Sequence, residues 1–190
     1  MVVRYFYKII TFLLLVSIVL LAFFIGYVGI LKTYVYPLKY REEIFLYSEN
    51  YNLDKALVFS VVKVESDFRE KAVSSKGAKG LMQITDKTAN YIALLKKDSD
   101  FDMLKSKQNI EYGCYYLRYL MDKFSDTKTA LVAYNAGEGK VKTWLKDKQY
   151  SSNGITLDYI EYTETREYVE KIEKTFKIYK KLYGNLLDKQ

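Results

Sequence analysis

The chain opens with an apolar run that a soluble core would not need. From Ile9 to Leu31 there is no charged residue and no proline. As a helix this run would be about 34 Å long, enough to cross a bilayer with some tilt. The rest reads differently. Apolar residues recur there every three or four positions, and no stretch alternates convincingly with period two. The pattern predicts a mainly α protein, with one N-terminal transmembrane helix followed by a helical domain.

Within that domain, Arg41 to Glu49 predicts a first helix, with Ile44, Phe45 and Tyr47 free to pack. Asn52 or Asp54 can cap the next, which carries Leu57, Val58, Val61 and Val62 and should stop near Ser66 to Phe68. From Arg69 to Gly80 the periodicity lapses, and Ser74, Ser75, Gly77 and Gly80 mark a loop. A helix begins at Thr85 or Asp86 and runs through Leu95, before a polar stretch from Lys96 to Ser106. Lys107 to Phe124 is the clearest amphipathic helix, with Ile110, Cys114, Leu117, Met121 and Phe124 as its stripe. Thr127 to Ala136 is a shorter one, stopped by Gly137 and Gly139, and Val141, Trp144 and Leu145 add a further turn or two. Tyr150 to Asp158 is a second loop. Glu164 to Leu182 closes the chain as a helix, with Tyr168, Val169, Ile172, Phe176 and Tyr179 inward and Gly184 as its terminator. The expected divisions are a tail and anchor over 1–31 (span 9–31), a connector over 32–40 around the single proline, Pro37, and a domain over 41–190.

One position breaks the pattern. At about 100° per residue, Glu65 shares a helix face with Val58, Val61 and Val62. A carboxyl set into an apolar face either snorkels to water or is held partly protonated near neutral pH, because burial disfavours the charged form. The second state is what a general acid requires.

Composition narrows the chemistry. Histidine is absent, which excludes a Ser-His-acid triad and makes a zinc site improbable; no metal and no cofactor is expected. The single cysteine, Cys114, cannot form an internal disulfide and sits at core spacing. Arg4 and Lys8 are the only charges before residue 32, which leaves +5 of the chain's +7 for the remainder. The basic residues there are scattered among acids, so nucleic acid is a weaker partner than an anionic lipid or cell-wall polymer. No Ala-x-Ala pattern and no nearby cysteine follows the apolar run, so an uncleaved signal anchor is expected, with cleavage as the alternative. Lys32, Lys39 and Arg41 on the far flank offset Arg4 and Lys8, and charge alone leaves the orientation open. The 20 tyrosines exceed what a core needs, and exposed ones can stack on sugar faces.

Four segments carry a more specific signal: Glu65-Ser66, Gly80-Leu-Met-Gln83, Ala133-Tyr-Asn-Ala-Gly137 and Glu164-Thr-Arg-Glu-Tyr168, with Ser74-x-x-Gly77-Ala78 ahead of the second. In this order and spacing, from about Glu43 to Tyr183, they resemble the soluble-lytic-transglycosylase-like domain, glycoside hydrolase family 23. The resemblance implies a lysozyme-like helical fold and cleavage of peptidoglycan glycan strands, with the membrane reached through the N-terminal helix and the domain on the cell-wall side. It makes Glu65 the catalytic acid. It implies a substrate-binding role for Ser74, Gln83, Asn135 and its packing partner Tyr134, and a contact from Tyr168 to the catalytic carboxyl. Ser66 and Met82 follow as lesser members, Ser66 supporting the structure around the acid and Met82 lining a subsite or filling core. Gly77 and Gly80 would let the loop backbone pass close to the sugar.

Glycosidases usually carry a second carboxylate. Asp67, Glu138 and Glu164 are available, yet nothing in the sequence makes any of them a nucleophile. The resemblance implies that none is needed, because the muramic acid 6-hydroxyl attacks its own anomeric carbon and leaves a 1,6-anhydro sugar. Two departures stand out. Glu70, Ser75 and Glu161 lie where family members often carry prolines, which removes one source of loop rigidity. Gly80 opens the second motif as in the bacterial transglycosylases, where goose-type lysozymes, the hydrolytic alternative, typically have glutamate. A wall-binding module without catalysis is the alternative outside enzymology.

Overall fold

The computed structural model describes residues 2–188, which divide into two compact units, one up to Leu38 and one from Lys39 onward. The first is helix α1, Val2–Ile30, continued by a π-helical turn, Leu31–Val35. Together they contain one helix, Arg4–Val35, long and apolar enough to span a membrane. The helical segment therefore exceeds the predicted span and takes in the first part of the expected connector. Nothing in Lys32-Thr-Tyr-Val35 breaks a helix. The break comes at Tyr36 (φ −127, ψ 59), the residue that Pro37 pushes out of helical geometry.

The second unit is built from seven helices among the described residues: α2 (Arg41–Asn50), α3 (Lys55–Ser66), α4 (Asp86–Lys96), α5 (Ser106–Lys123), α6 (Thr127–Ala136), α7 (Glu138–Leu145) and α8 (Thr163–Leu187). The caps follow the sequence. Asp54 accepts from Ala56 N at 2.8 Å, Thr85 from Thr88 N at 3.2 Å and Asp126 from Thr129 N at 2.9 Å. Helix α3 lies at the centre: Ala56 to Val62 are all buried, and α8 and α2 pack on it. Phe59 joins it to α8 by stacking on Tyr179 at 5.4 Å. Cys114 is buried in the α5 stripe.

One sequence expectation is corrected. Gly184 does not end the last helix, which runs on to Leu187; Leu187 is buried and Asp188 caps the end through its N–H to the Gly184 carbonyl, so packing outweighs the helix-weakening glycine. The loop expected over Arg69 to Gly80 is present, and from Val73 to Ile84 it carries two isolated antiparallel bridges, Val73 with Lys79 and Lys79 with Ile84. These bridges supply rigidity without proline.

Candidate active site

The site forms where the C-terminus of α3 meets the 73–84 loop and the first turns of α8. Helix α3 ends abruptly: Asp67 (φ 52) and Phe68 (φ 59) both take left-handed conformations, and Phe68 turns in to pack against Phe59. That turn leaves Glu65 on the last helical turn, partly exposed at the surface while protein surrounds its carboxyl. Burial raises its pKa to about 7, and a hydrogen bond from Tyr168 pulls the other way. That bond, Tyr168 OH to Glu65 Oε1, is 2.6 Å long and joins residues 103 positions apart. Tyr168 is itself buried, and burial followed by the nearby Glu65 charge holds its phenol well above the usual tyrosine range, so it stays a donor. No second carboxylate contributes to the Glu65 shift. Asp67 pairs with Lys63, Glu138 with Lys123 and Lys142, and Glu164 with Lys76.

Ser66, next to the acid, is buried and donates to Leu81 O at 2.8 Å, fastening the loop to the end of α3. A second fastener lies far along the chain. Asn109, fully buried on α5, accepts from Met82 N at 2.7 Å and donates to Lys79 O at 2.8 Å and Met103 O at 2.9 Å. Sequence reasoning missed Asn109. Its one signal was a polar residue next to Ile110 on a helix whose buried face is otherwise apolar.

Gly80 (φ 76) is buried against this asparagine, and a Cβ there would fall 2.5 Å from Asn109 Cγ. Its Cβ side is therefore closed by packing within the protein, which any larger residue would disrupt. Met82 is likewise fully buried, its side chain filling the space left by Gly113, where a Cβ would lie 2.7 Å from Met82 Cβ. Its side chain fills core. Its carbonyl accepts from Tyr134 OH at 2.8 Å.

The other predicted residues divide by what their polar atoms do. Ser74 Oγ accepts from Ala78 N at 3.0 Å, which closes the loop and leaves the hydroxyl proton to donate. Gln83 (φ 48) donates from Nε2 to Gly80 O at 2.8 Å and Ala72 O at 3.2 Å, so its amide nitrogen serves the loop and its carbonyl oxygen is what it can offer a ligand. Tyr134, half-buried near Glu65, is held well above the usual tyrosine range by burial and then by the Glu65 charge, and its ring packs on Tyr116 at 5.5 Å. Asn135 is exposed at the end of α6, with Oδ1 accepting from Thr165 Oγ1 at 2.7 Å.

The opening turns of α8 thus reach every wall. Glu164 extends to Lys76 of the loop at 3.3 Å, Thr165 to Asn135 on α6, and Tyr168 to Glu65 on α3. Residues 164 and 168 are one turn apart on the same face, which is why a single helix can do this. The arrangement presents a carboxyl able to give and retake a proton near neutral pH, with a neutral donor to hold it in place.

Comparison with known proteins identifies the family. A family model, the transglycosylase SLT domain, matches residues 42–155, more than half the chain. The chain belongs to that family. It is similar to the soluble lytic murein transglycosylase of Salmonella typhimurium, 30% identical over 143 residues that cover 72% of this chain and 22% of that protein. It is also similar to the membrane-bound lytic murein transglycosylase E of Buchnera aphidicola, 28% identical over 187 residues, 84% of this chain and 86% of that one. Among solved structures, the 70 kDa soluble lytic transglycosylase Slt70 of Escherichia coli superposes with a TM-score of 0.68 at 27% identity, covering 78% of this chain and 25% of that protein. Its complex with bulgecin A gives 0.69. The chain spans about a fifth to a quarter of the length of these soluble relatives. The shared region is the lysozyme-like helical domain.

Proposed function

We propose that this chain is a peptidoglycan lytic transglycosylase, anchored by its N-terminal helix, that cleaves the β-1,4 bond between N-acetylmuramic acid and N-acetylglucosamine. The observation that carries the reading is Glu65: a carboxyl raised to about 7, held by the Tyr168 hydroxyl and with no cation beside it. Protonated, Glu65 gives its proton to the glycosidic oxygen as the bond to the anomeric carbon breaks. The carboxylate that remains takes the proton of the muramic acid 6-hydroxyl, whose oxygen closes onto that carbon. One residue is acid and then base, the proton returns to where it began, and no water enters. Internal attack suits a site with a single available carboxylate, since proximity replaces a second reactant.

Ser74, the carbonyl oxygen of Gln83 and the exposed amide nitrogen of Asn135 are the groups available to bind N-acetyl and hydroxyl substituents. A substrate in the wall requires residues 39–190 to lie outside the cytoplasmic membrane and the N-terminal tail, with Arg4 and Lys8, inside. Membrane-bound relatives support the anchored part of this reading.

The test is mass spectrometry of peptidoglycan digested by the purified protein. Anhydromuramyl ends are expected. Reducing ends one water heavier would replace the lyase reading with a goose-type muramidase, and binding without cleavage would leave a wall-binding module.

A further inference from the structure

The second unit carries an aromatic cluster that the reaction at Glu65 does not use. Trp144 on α7 is buried, and Tyr162, the residue preceding α8, packs edge-on against it at 5.0 Å while staying 42% exposed. Lys140 Nζ lies over both rings, 5.1 Å from Tyr162 and 5.6 Å from Trp144. Glu161 ties the group together, accepting from Trp144 Nε1 at 2.9 Å and pairing with Lys140 at 3.9 Å. Next to it Tyr159 is 49% exposed, with the Arg166 guanidinium 5.8 Å over its ring. Exposed aromatic rings normally mean little singly. Tyr162 is held by a buried tryptophan and by a lysine that pairs with Glu161, a cost in side-chain freedom that mere surface residues need not bear.

The cluster's place in the chain gives it a direction. Tyr162, extended at φ −78 and ψ 119, enters α8 three residues before Thr165. Thr165 holds Asn135, and Lys140 follows Asn135 by five residues across the α6–α7 junction. Lys140–Tyr162 is therefore a second contact, from α7 to the entry of α8, beside the Asn135–Thr165 contact from α6.

We propose that Tyr162, with Lys140 over one face of its ring and Glu161 beside it, is a saccharide-binding subsite that takes a further hexosamine of the glycan strand, beyond those at Glu65. The C–H face of a pyranose stacks on an aromatic ring much as another ring does, and the flanking ammonium and carboxylate match its hydroxyl and N-acetyl groups. The subsite rests on the glycan reading above and sets how long a strand must be for full affinity.

Trp144 is the only tryptophan, so its fluorescence reports this site alone. The experiment titrates full-length Glu65→Gln protein in detergent with chitobiose and with chitohexaose. Chitohexaose should change the Trp144 emission, while chitobiose at the same concentration should not. Adding Tyr162→Ala should abolish that change and weaken chitohexaose binding about three- to tenfold by calorimetry. Tyr162→Phe, which keeps the ring, should retain both and so controls for misfolding. Chitohexaose binding with unchanged Trp144 emission, or of equal strength in Tyr162→Ala, would overturn the subsite alone. Failure of either oligosaccharide to bind would overturn the glycan reading together with it.

Discussion

Glu65 and Glu138 are a matched pair with opposite outcomes. Both are partly exposed glutamates at helix termini, and each receives a tyrosine hydroxyl, Tyr168 at 2.6 Å and Tyr119 at 3.0 Å. Burial pushes both upward. At Glu138 this is overcome by hydrogen bonds from Lys123, Lys142 and Tyr119 and by the Lys123 charge, which hold the carboxyl down at about 2. At Glu65 only Tyr168 opposes burial, and the carboxyl settles at about 7. A neutral donor positions a carboxylate without keeping it ionised; ammonium groups do both. The catalytic candidate is the glutamate that the chain leaves without a cation.

The largest expected break in this comparison is Glu65→Gln. It would remove the proposed proton donor, so anhydromuropeptide release should fall by about 10²–10⁴-fold, measured by chromatography of digests. The same variant should become the more stable protein at alkaline pH. Because the folded pKa of Glu65 exceeds the unfolded value, the native state binds the proton more tightly, and parental stability declines as pH rises from about 4.5 to about 7. Glutamine does not titrate, so its advantage should grow through that window to about 3 kcal/mol and then level off, as read by denaturant unfolding at several pH values. A constant difference between parent and variant would mean that Glu65 titrates normally.

Tyr168→Phe comes next. The hydroxyl stabilises the carboxylate, so its loss should raise the Glu65 pKa further and move the alkaline limb of kcat/KM to higher pH. Activity below that limb should drop about tenfold because the carboxyl is no longer held in place. A limb that stays put would show that the hydroxyl does not govern the proton. The smallest effect is expected at Glu138→Gln, which leaves Lys123 and Lys142 without their carboxylate. On a partly solvated network this should cost about 1 kcal/mol in denaturant unfolding, less in high salt, with the pH profile of activity unmoved. A shifted profile would tie Glu138 to the proton transfer and end the contrast.

Local pattern accounts for most of what was readable beforehand. The span, the helices and two of their caps, Asp54 and Thr85, rest on periodicity and on side chains a few residues from the backbone they serve. Glu65 was legible for the same reason, as a carboxyl on a valine face. The roles of its neighbours were not. Met82 and Gly80 belong to the motif and yet serve packing against Gly113 and Asn109, about thirty residues downstream. Gln83 spends its amide nitrogen on its own loop. Gly184 lies inside a helix because Leu187 is buried beyond it.

The sequence by itself determined that a membrane-length helix precedes a helical domain, that histidine and disulfide chemistry are excluded, and that one glutamate sits where burial can hold its proton. Only the tertiary structure decided which charges stay away from it. That depends on Tyr168, 103 residues on, and on lysines that neutralise Asp67, Glu138 and Glu164 elsewhere. Periodicity is a property of neighbouring residues, whereas a pKa is set by every group within a few ångströms, whatever its place in the chain.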